Sequence, residues 1–216
     1  MEGAGLIATQ IVALLFAISF HEAAHAWSAD RLGDPTARLL GRVTMNPIAH
    51  IDPFMTILFP AMMIFAGLPP FGAAKPVPVN TANLARPKRD HAWIAAAGPL
   101  SNVLLAAICV VLIRLMRANQ EVLVGVVSAS VFLPVLQLLV ASLLINLLLA
   151  AFNMMPIPPL DGSWILSATL SGPVAQFYRS IQPYGFFILI ALIWLGAFRV
   201  LVLPVIRLGQ VLAGLG

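Results

Sequence analysis

His21, Glu22 and His25 form an H-E-x-x-H sequence at the end of an apolar run, Leu6–Phe20, that no charge interrupts. Histidines spaced by four lie on one face of a helix, where two imidazoles can take neighbouring positions around a tetrahedral zinc ion. A catalytic zinc takes three protein ligands and keeps one position open for water, and an adjacent carboxylate can act as general base on that water. Glu22 adjoins the histidine pair and has the right chemistry for that role. Two imidazoles and a carboxylate are costly within a bilayer, so their presence there points to function.

A third ligand must come from elsewhere. The chain has eight acidic residues. Asp161 stands out, because it follows the apolar run Asn146–Phe152 and the proline-rich stretch Asn153–Leu160. Prolines free backbone carbonyls, which a membrane tolerates only where protein or a water-filled cavity satisfies them. Asp161 is therefore expected to ligate zinc, the competing role being to cap a short helix over Gly162–Leu170. Asn153 is a candidate to hold the substrate or to donate to the scissile carbonyl oxygen. Asn102 is a second substrate or oxyanion candidate, although it and Asn146 also suit interhelical hydrogen bonding. His50 is expected to bond Asp52 and fix a loop, and His91 to lie at the membrane interface with Trp27 and Trp93.

The elements that must position these residues are apolar helices. Of 216 residues, 61% are hydrophobic and 9% charged, with a mean hydropathy of +0.98; soluble domains carry about 25% charged residues. The composition describes an all-α polytopic membrane protein of one domain spanning residues 1–216, and the net charge of +4 does not indicate nucleic acid. Apolar segments fall at about 6–27, 54–68, 91–115, 134–152 (with a start as early as Val122) and 184–206. Thr36–Asn46 can pair as short β-strands, and Asn153–Gly162 breaks a helix. Cys109, the single cysteine, reads as a packed hydrophobe. Ala24-His25-Ala26 mimics a signal-peptidase site, but the N-terminal residues carry Glu2 and no basic residue, against a signal peptide. If Phe54–Leu68 crossed the bilayer, Lys75, Arg86, Lys88 and Arg89 would lie opposite Arg31, Arg38 and Arg42, against the positive-inside rule. A re-entrant or tilted hairpin is expected there instead. It keeps the H-E-x-x-H sequence toward the cytosol.

Together with His21-Glu22-x-x-His25, the sequence Asn153-x-x-Pro156-x-x-Pro159-Leu160-Asp161-Gly162 resembles the site-2 proteases, polytopic zinc metalloproteases that cut substrates within membranes. The resemblance extends to Leu32-Gly33-Asp34-Pro35-Thr36-Ala37, Asn46-Pro47-Ile48-Ala49-His50-Ile51-Asp52-Pro53, Lys75-Pro76-Val77-Pro78-Val79-Asn80 and Gly98-Pro99-Leu100-Ser101-Asn102. It implies zinc on His21, His25 and Asp161 and a catalytic Glu22. It also implies a transmembrane protein as substrate, in a bacterial cytoplasmic membrane. Phe54-Met55-Thr56 departs from the family's usual residues at the hairpin. No PDZ-like insert is seen, as in the compact branch of the family. The competing classes are a membrane metal transporter, for which no internal repeat is found, and a zinc-binding relative without activity. Substrate identity and oligomeric state are not legible.

Overall fold

The computed structural model describes residues 2–65 and 74–215. Helix α1 (Glu2–Arg31) carries the H-E-x-x-H sequence. Residues spaced by four put Ala13, Ala17, His21, His25 and Ala29 on one face, and all five are buried. The alanines let a neighbouring backbone come close, which is a main source of helix association in lipid. That neighbour is α4 (Pro87–Ala118), and α4 turns Ile94, Gly98, Asn102 and Ala106 inward, again four apart. Between them lie a single turn, α2 (Thr36–Leu39), a 3-10 turn (Pro47–His50), and a π-helical turn (Pro53–Leu58) that runs into α3 (Phe59–Phe65). After α4 come α5 (Gln120–Val127), α6 (Ala129–Asn153), α7 (Asp161–Thr169), α8 (Gly172–Ile181), α9 (Gly185–Trp194) and α10 (Ala197–Leu212).

Helix α4 is the hub, packed against α1, α6 and α7, while α10 closes on α6. Ala106, Cys109 and Ile113 of α4 join Leu143 of α6 and Ala213 in the main apolar core. Helices α1, α4 and α6 are long and apolar enough to cross a membrane. Leu104, Val111 and Val131 stay exposed on them, as a lipid-facing surface requires. The protein is an all-α integral membrane protein.

The segment after Ile51 returns to where it started. Lys75 N donates to His50 O at 2.9 Å. The buried Arg42 guanidinium donates to Ala49 O on one flank and to Lys75 O and Pro76 O on the other. The described ends of this segment are thus tied to one another. Its helical part, Pro53–Phe65, is about 20 Å long, short of a hydrocarbon core of about 30 Å. The returning limb of the expected hairpin, together with Leu68, lies outside the described residues.

One expectation needs correction. No strand forms over Thr36–Asn46 among the described residues, where Thr36–Leu39 is a helical turn instead. Asp34 Oδ1 accepts from Thr36 N at 3.2 Å and Thr36 Oγ1 at 2.5 Å, which draws the chain into a turn. The apolar segment 184–206 is bent. Gly196, at φ 77°, ends α9, and the helical run Gly172–Trp194 meets Arg199–Leu212 at 69°.

Asp34 ties the returning chain to the end of α1. Its fully buried carboxylate also accepts from Asn80 N at 2.7 Å and Asn83 Nδ2 at 2.8 Å. Burial alone would raise its pKa. The donors from Thr36, Asn83 and Asn80 outweigh that and lower it below the ordinary value. A depressed carboxyl contributes stability above its unfolded pKa of about 3.9 and loses it as pH falls through the folded value. Asp34→Asn is therefore expected to cost about 1.5–3 kcal/mol at neutral pH, the range for hydrogen bonds to a charged group. Thermal unfolding in detergent, followed against pH, should show the gap from wild type closing in acid.

Candidate metal centre and active site

His21 and His25 point from α1 toward α4, and each ring is held by its inner nitrogen. His21 Nδ1 lies 2.6 Å from Asn102 Oδ1, and His25 Nδ1 lies 2.7 Å from Ile94 O. Both partners are acceptors, so both Nδ1 atoms carry the proton. Each Nε2 is then left with a bare lone pair, the form that binds a metal. The Asn102 amide is itself oriented. Its Nδ2 donates to Asn146 Oδ1 at 2.8 Å and Ala17 O at 3.3 Å, and Asn146 Nδ2 donates to Ser142 O at 2.8 Å. A directional chain thus runs from α6 through α4 to His21.

Asp161 is the first residue of α7, and its side chain does not cap that helix. Its Oδ2 lies 3.2 Å from His21 Nε2 and 3.4 Å from His25 Nε2, and the two Nε2 atoms are 3.1 Å apart. Bonds of 2.0–2.2 Å to a tetrahedral zinc require ligand atoms about 3.3–3.5 Å apart. The Asp161 oxygen is buried with no hydrogen-bond donor. Two lone pairs and a carboxylate facing one another need a cation between them. The three side chains are the one group among the described residues that could hold a metal ion.

Gly98 makes room for this arrangement. A methyl at its Cβ position would lie 2.3 Å from His25 Nε2 and 2.7 Å from His21 Cε1. Gly98→Ala is therefore expected to displace both rings and to strip most of the metal from purified protein, as read by elemental analysis. Asn102→Ala keeps the three ligands and removes the partner of His21, together with the amide that bonds Asn146 and Ala17 O. It is expected to weaken zinc about 10–100-fold, the usual effect of losing such a partner. Competition with a fluorescent chelator measures it.

The group opens onto a cavity of about 480 Å³, within the range of small-molecule and substrate sites. Glu22 lines it beside the histidines and accepts no hydrogen bond from the protein among the described residues. Asn153 lines it too, half-buried, with Nδ2 donating to Leu149 O at 3.0 Å within its own helix. Pro76, Val77 and Val79 form the wall opposite, with Ile18, Phe152 and Leu189 giving the rest an apolar character. Asn102 lies elsewhere, fully buried behind His21 with its amide fully engaged. His50 bonds Thr44 O at 2.9 Å and not Asp52, whose carboxylate instead caps the turn at Phe54 and Met55. His91 reaches the cavity and stacks on Trp164 at 4.5 Å. Its place beside the Lys88-Arg89 pair had masked this. Trp27 and Trp93 are exposed, as an interfacial belt requires.

A membrane-embedded helical bundle around a metal-binding group of this composition is the architecture of a membrane metallopeptidase. The chain belongs to Peptidase family M50, whose sequence pattern matches residues 9–195, and the resemblance to the site-2 proteases is thereby borne out. Among curated proteins it is similar to YwhC of Bacillus subtilis (strain 168), named as a candidate zinc metalloprotease. The two are 36% identical over 84% of this chain and 78% of the relative. It is also similar to two proteins named Rip2 and likewise described as candidate zinc metalloproteases. The one from Mycolicibacterium smegmatis is 30% identical over 88% of this chain and 68% of its own length. The one from Mycobacterium tuberculosis (strain H37Rv) is 33% identical over 88% and 67%. No solved structure matches the chain.

Proposed function

We propose that this protein is an intramembrane zinc protease that hydrolyses a peptide bond in or near a transmembrane segment of another membrane protein. The observation that carries this reading is the convergence of three ligand atoms 3.1–3.4 Å apart, beside a carboxylate free of protein donors, inside a membrane bundle. His21 Nε2, His25 Nε2 and Asp161 Oδ2 would hold the ion. Zinc supplies Lewis-acid activation of water and of the scissile carbonyl.

The chain's own groups do the rest. Glu22 takes the proton of the attacking water and returns it to the leaving amide nitrogen. Asn153 Nδ2 needs only to leave its bond to Leu149 O to donate to the carbonyl oxygen. The substrate must be extended there, because a helix hides its peptide bonds. Val77 and Val79 are suited to pair with such a segment. Residues two apart present their N–H and C=O on the same edge of an extended chain, and neither valine makes a backbone hydrogen bond among the described residues. Pro76 and Pro78 alternate with them and lack an N–H. One edge of this strap is therefore competent for strand addition.

The seven basic residues of 28–90 fall in the stretch that joins α1 to α4, and the positive-inside rule supports a site facing the cytosol of a bacterial inner membrane. The test is co-reconstitution with a single-span membrane substrate. Chelation should stop cleavage and zinc should restore it, with no zinc flux across the vesicle. Zinc flux without cleavage would favour the transporter reading.

A further inference from the structure

A second cavity of about 260 Å³ adjoins the first, and His91 and Trp164 line both. Their stacked rings form the partition. Lys88 from the first turn of α4 and Arg179 from α8 line the second cavity, and no acidic residue does. Neither cation has an ion-pair partner among the described residues. Ser167 Oγ in the same wall is buried and has no hydrogen-bond partner. Two unpaired cations and an orphaned hydroxyl make a site for a phosphate-like anion.

Its depth identifies the source of that anion. Lys88 stands where α4 passes from the charged residues 86–90 to the apolar ones beyond, and Trp93 is exposed just below. Helix α8 buries Ala175 and Tyr178 and exposes Val174 and Phe177. Exposed apolar side chains thus stand on α8 within the same turns as Arg179. The mouth is therefore at the level of lipid headgroups, with apolar side chains beside it for acyl chains. We propose that this cavity binds the headgroup of an anionic phospholipid, with Lys88 and Arg179 on the phosphate and Ser167 donating to it. Occupancy bears on the His91–Trp164 partition, and so on the shape of the neighbouring cavity.

Native mass spectrometry of protein equilibrated with phosphatidylglycerol or phosphatidylcholine tests the site. Wild type should retain phosphatidylglycerol preferentially. Lys88→Gln combined with Arg179→Gln should lower that retention about 30-fold, as expected for losing two basic contacts to an anionic lipid, with phosphatidylcholine unaffected. Both side chains are exposed, and zinc content of the same samples reports the fold. Equal phosphatidylglycerol retention by wild type and variant overturns the proposal. Displacement of the lipid by inorganic phosphate alone also overturns it, making this a free-anion site. So does unchanged lipid retention with selective loss of cleavage of substrates carrying acidic residues next to the membrane, which would make it a peptide site. Lipid retention is read without catalysis. Failure of the protease reading would appear separately, as absent cleavage with the retention difference intact.

Discussion

Glu22→Gln is expected to lower cleavage of a reconstituted membrane substrate by about 10²–10⁴-fold, the usual contribution of a positioned acid–base group, while zinc content stays at the wild-type level. The two readouts separate because Glu22 lines the cavity but stands outside the three-residue metal group. Glutamine keeps the volume and hydrogen-bonding reach of the side chain and removes its ability to accept and return a proton. No protein donor engages the Glu22 carboxylate among the described residues, so the substitution breaks no structural bond and the fold should be unaffected. Normal cleavage by this variant would remove Glu22 from the chemistry. Loss of zinc along with activity would instead make it part of the metal site.

Asp161→Ala is expected to remove both zinc and activity. Elemental analysis should show metal loss well beyond the roughly 10–100-fold that follows from losing an outer hydrogen-bond partner. Asp161 supplies the only negative charge in the group, and its Oδ2 has no protein donor to satisfy it. The side chain does not cap α7, so helix content by circular dichroism should be retained. That retention separates a ligand from a cap. Asp161→Ala that keeps stoichiometric zinc would contradict the assignment and direct the search for a third ligand elsewhere.

These residues were legible in the sequence for physical reasons. A spacing of four puts two histidines on one helical face whatever surrounds them, and acids are so few in this chain that Asp161 could be singled out beside its proline-broken segment. The hairpin was an expectation from charge, since a full crossing would split the basic residues between two sides, and its returning limb lies outside the described residues. The role of Asn102 was not. An asparagine that bonds two helices and one that orients a histidine are the same residue, and only the register of α1 against α4 distinguishes them. Gly98 read only as part of a motif of the family resemblance, whereas its missing Cβ is what admits both imidazoles. The stretch Lys75–Asn80 likewise read only as a motif of the resemblance. Its place in the cavity wall depends on Arg42 and Asp34, which hold its two ends through contacts 33 and 46 residues apart in sequence. The expected strands over Thr36–Asn46 gave way to local hydrogen bonds that Asp34 accepts from Thr36, a competition that alternation of apolar and polar residues does not reveal.

The substrate's scissile bond is where the account is most exposed. Wild-type protein loaded with zinc and co-reconstituted with a single-span membrane protein should yield two fragments. Their new ends, read by mass spectrometry, should lie within the apolar segment or next to its cytosolic end, and the fragments should disappear on chelation. An intact substrate beside fully zinc-loaded enzyme, or cuts confined to the substrate's water-soluble domain, would contradict it.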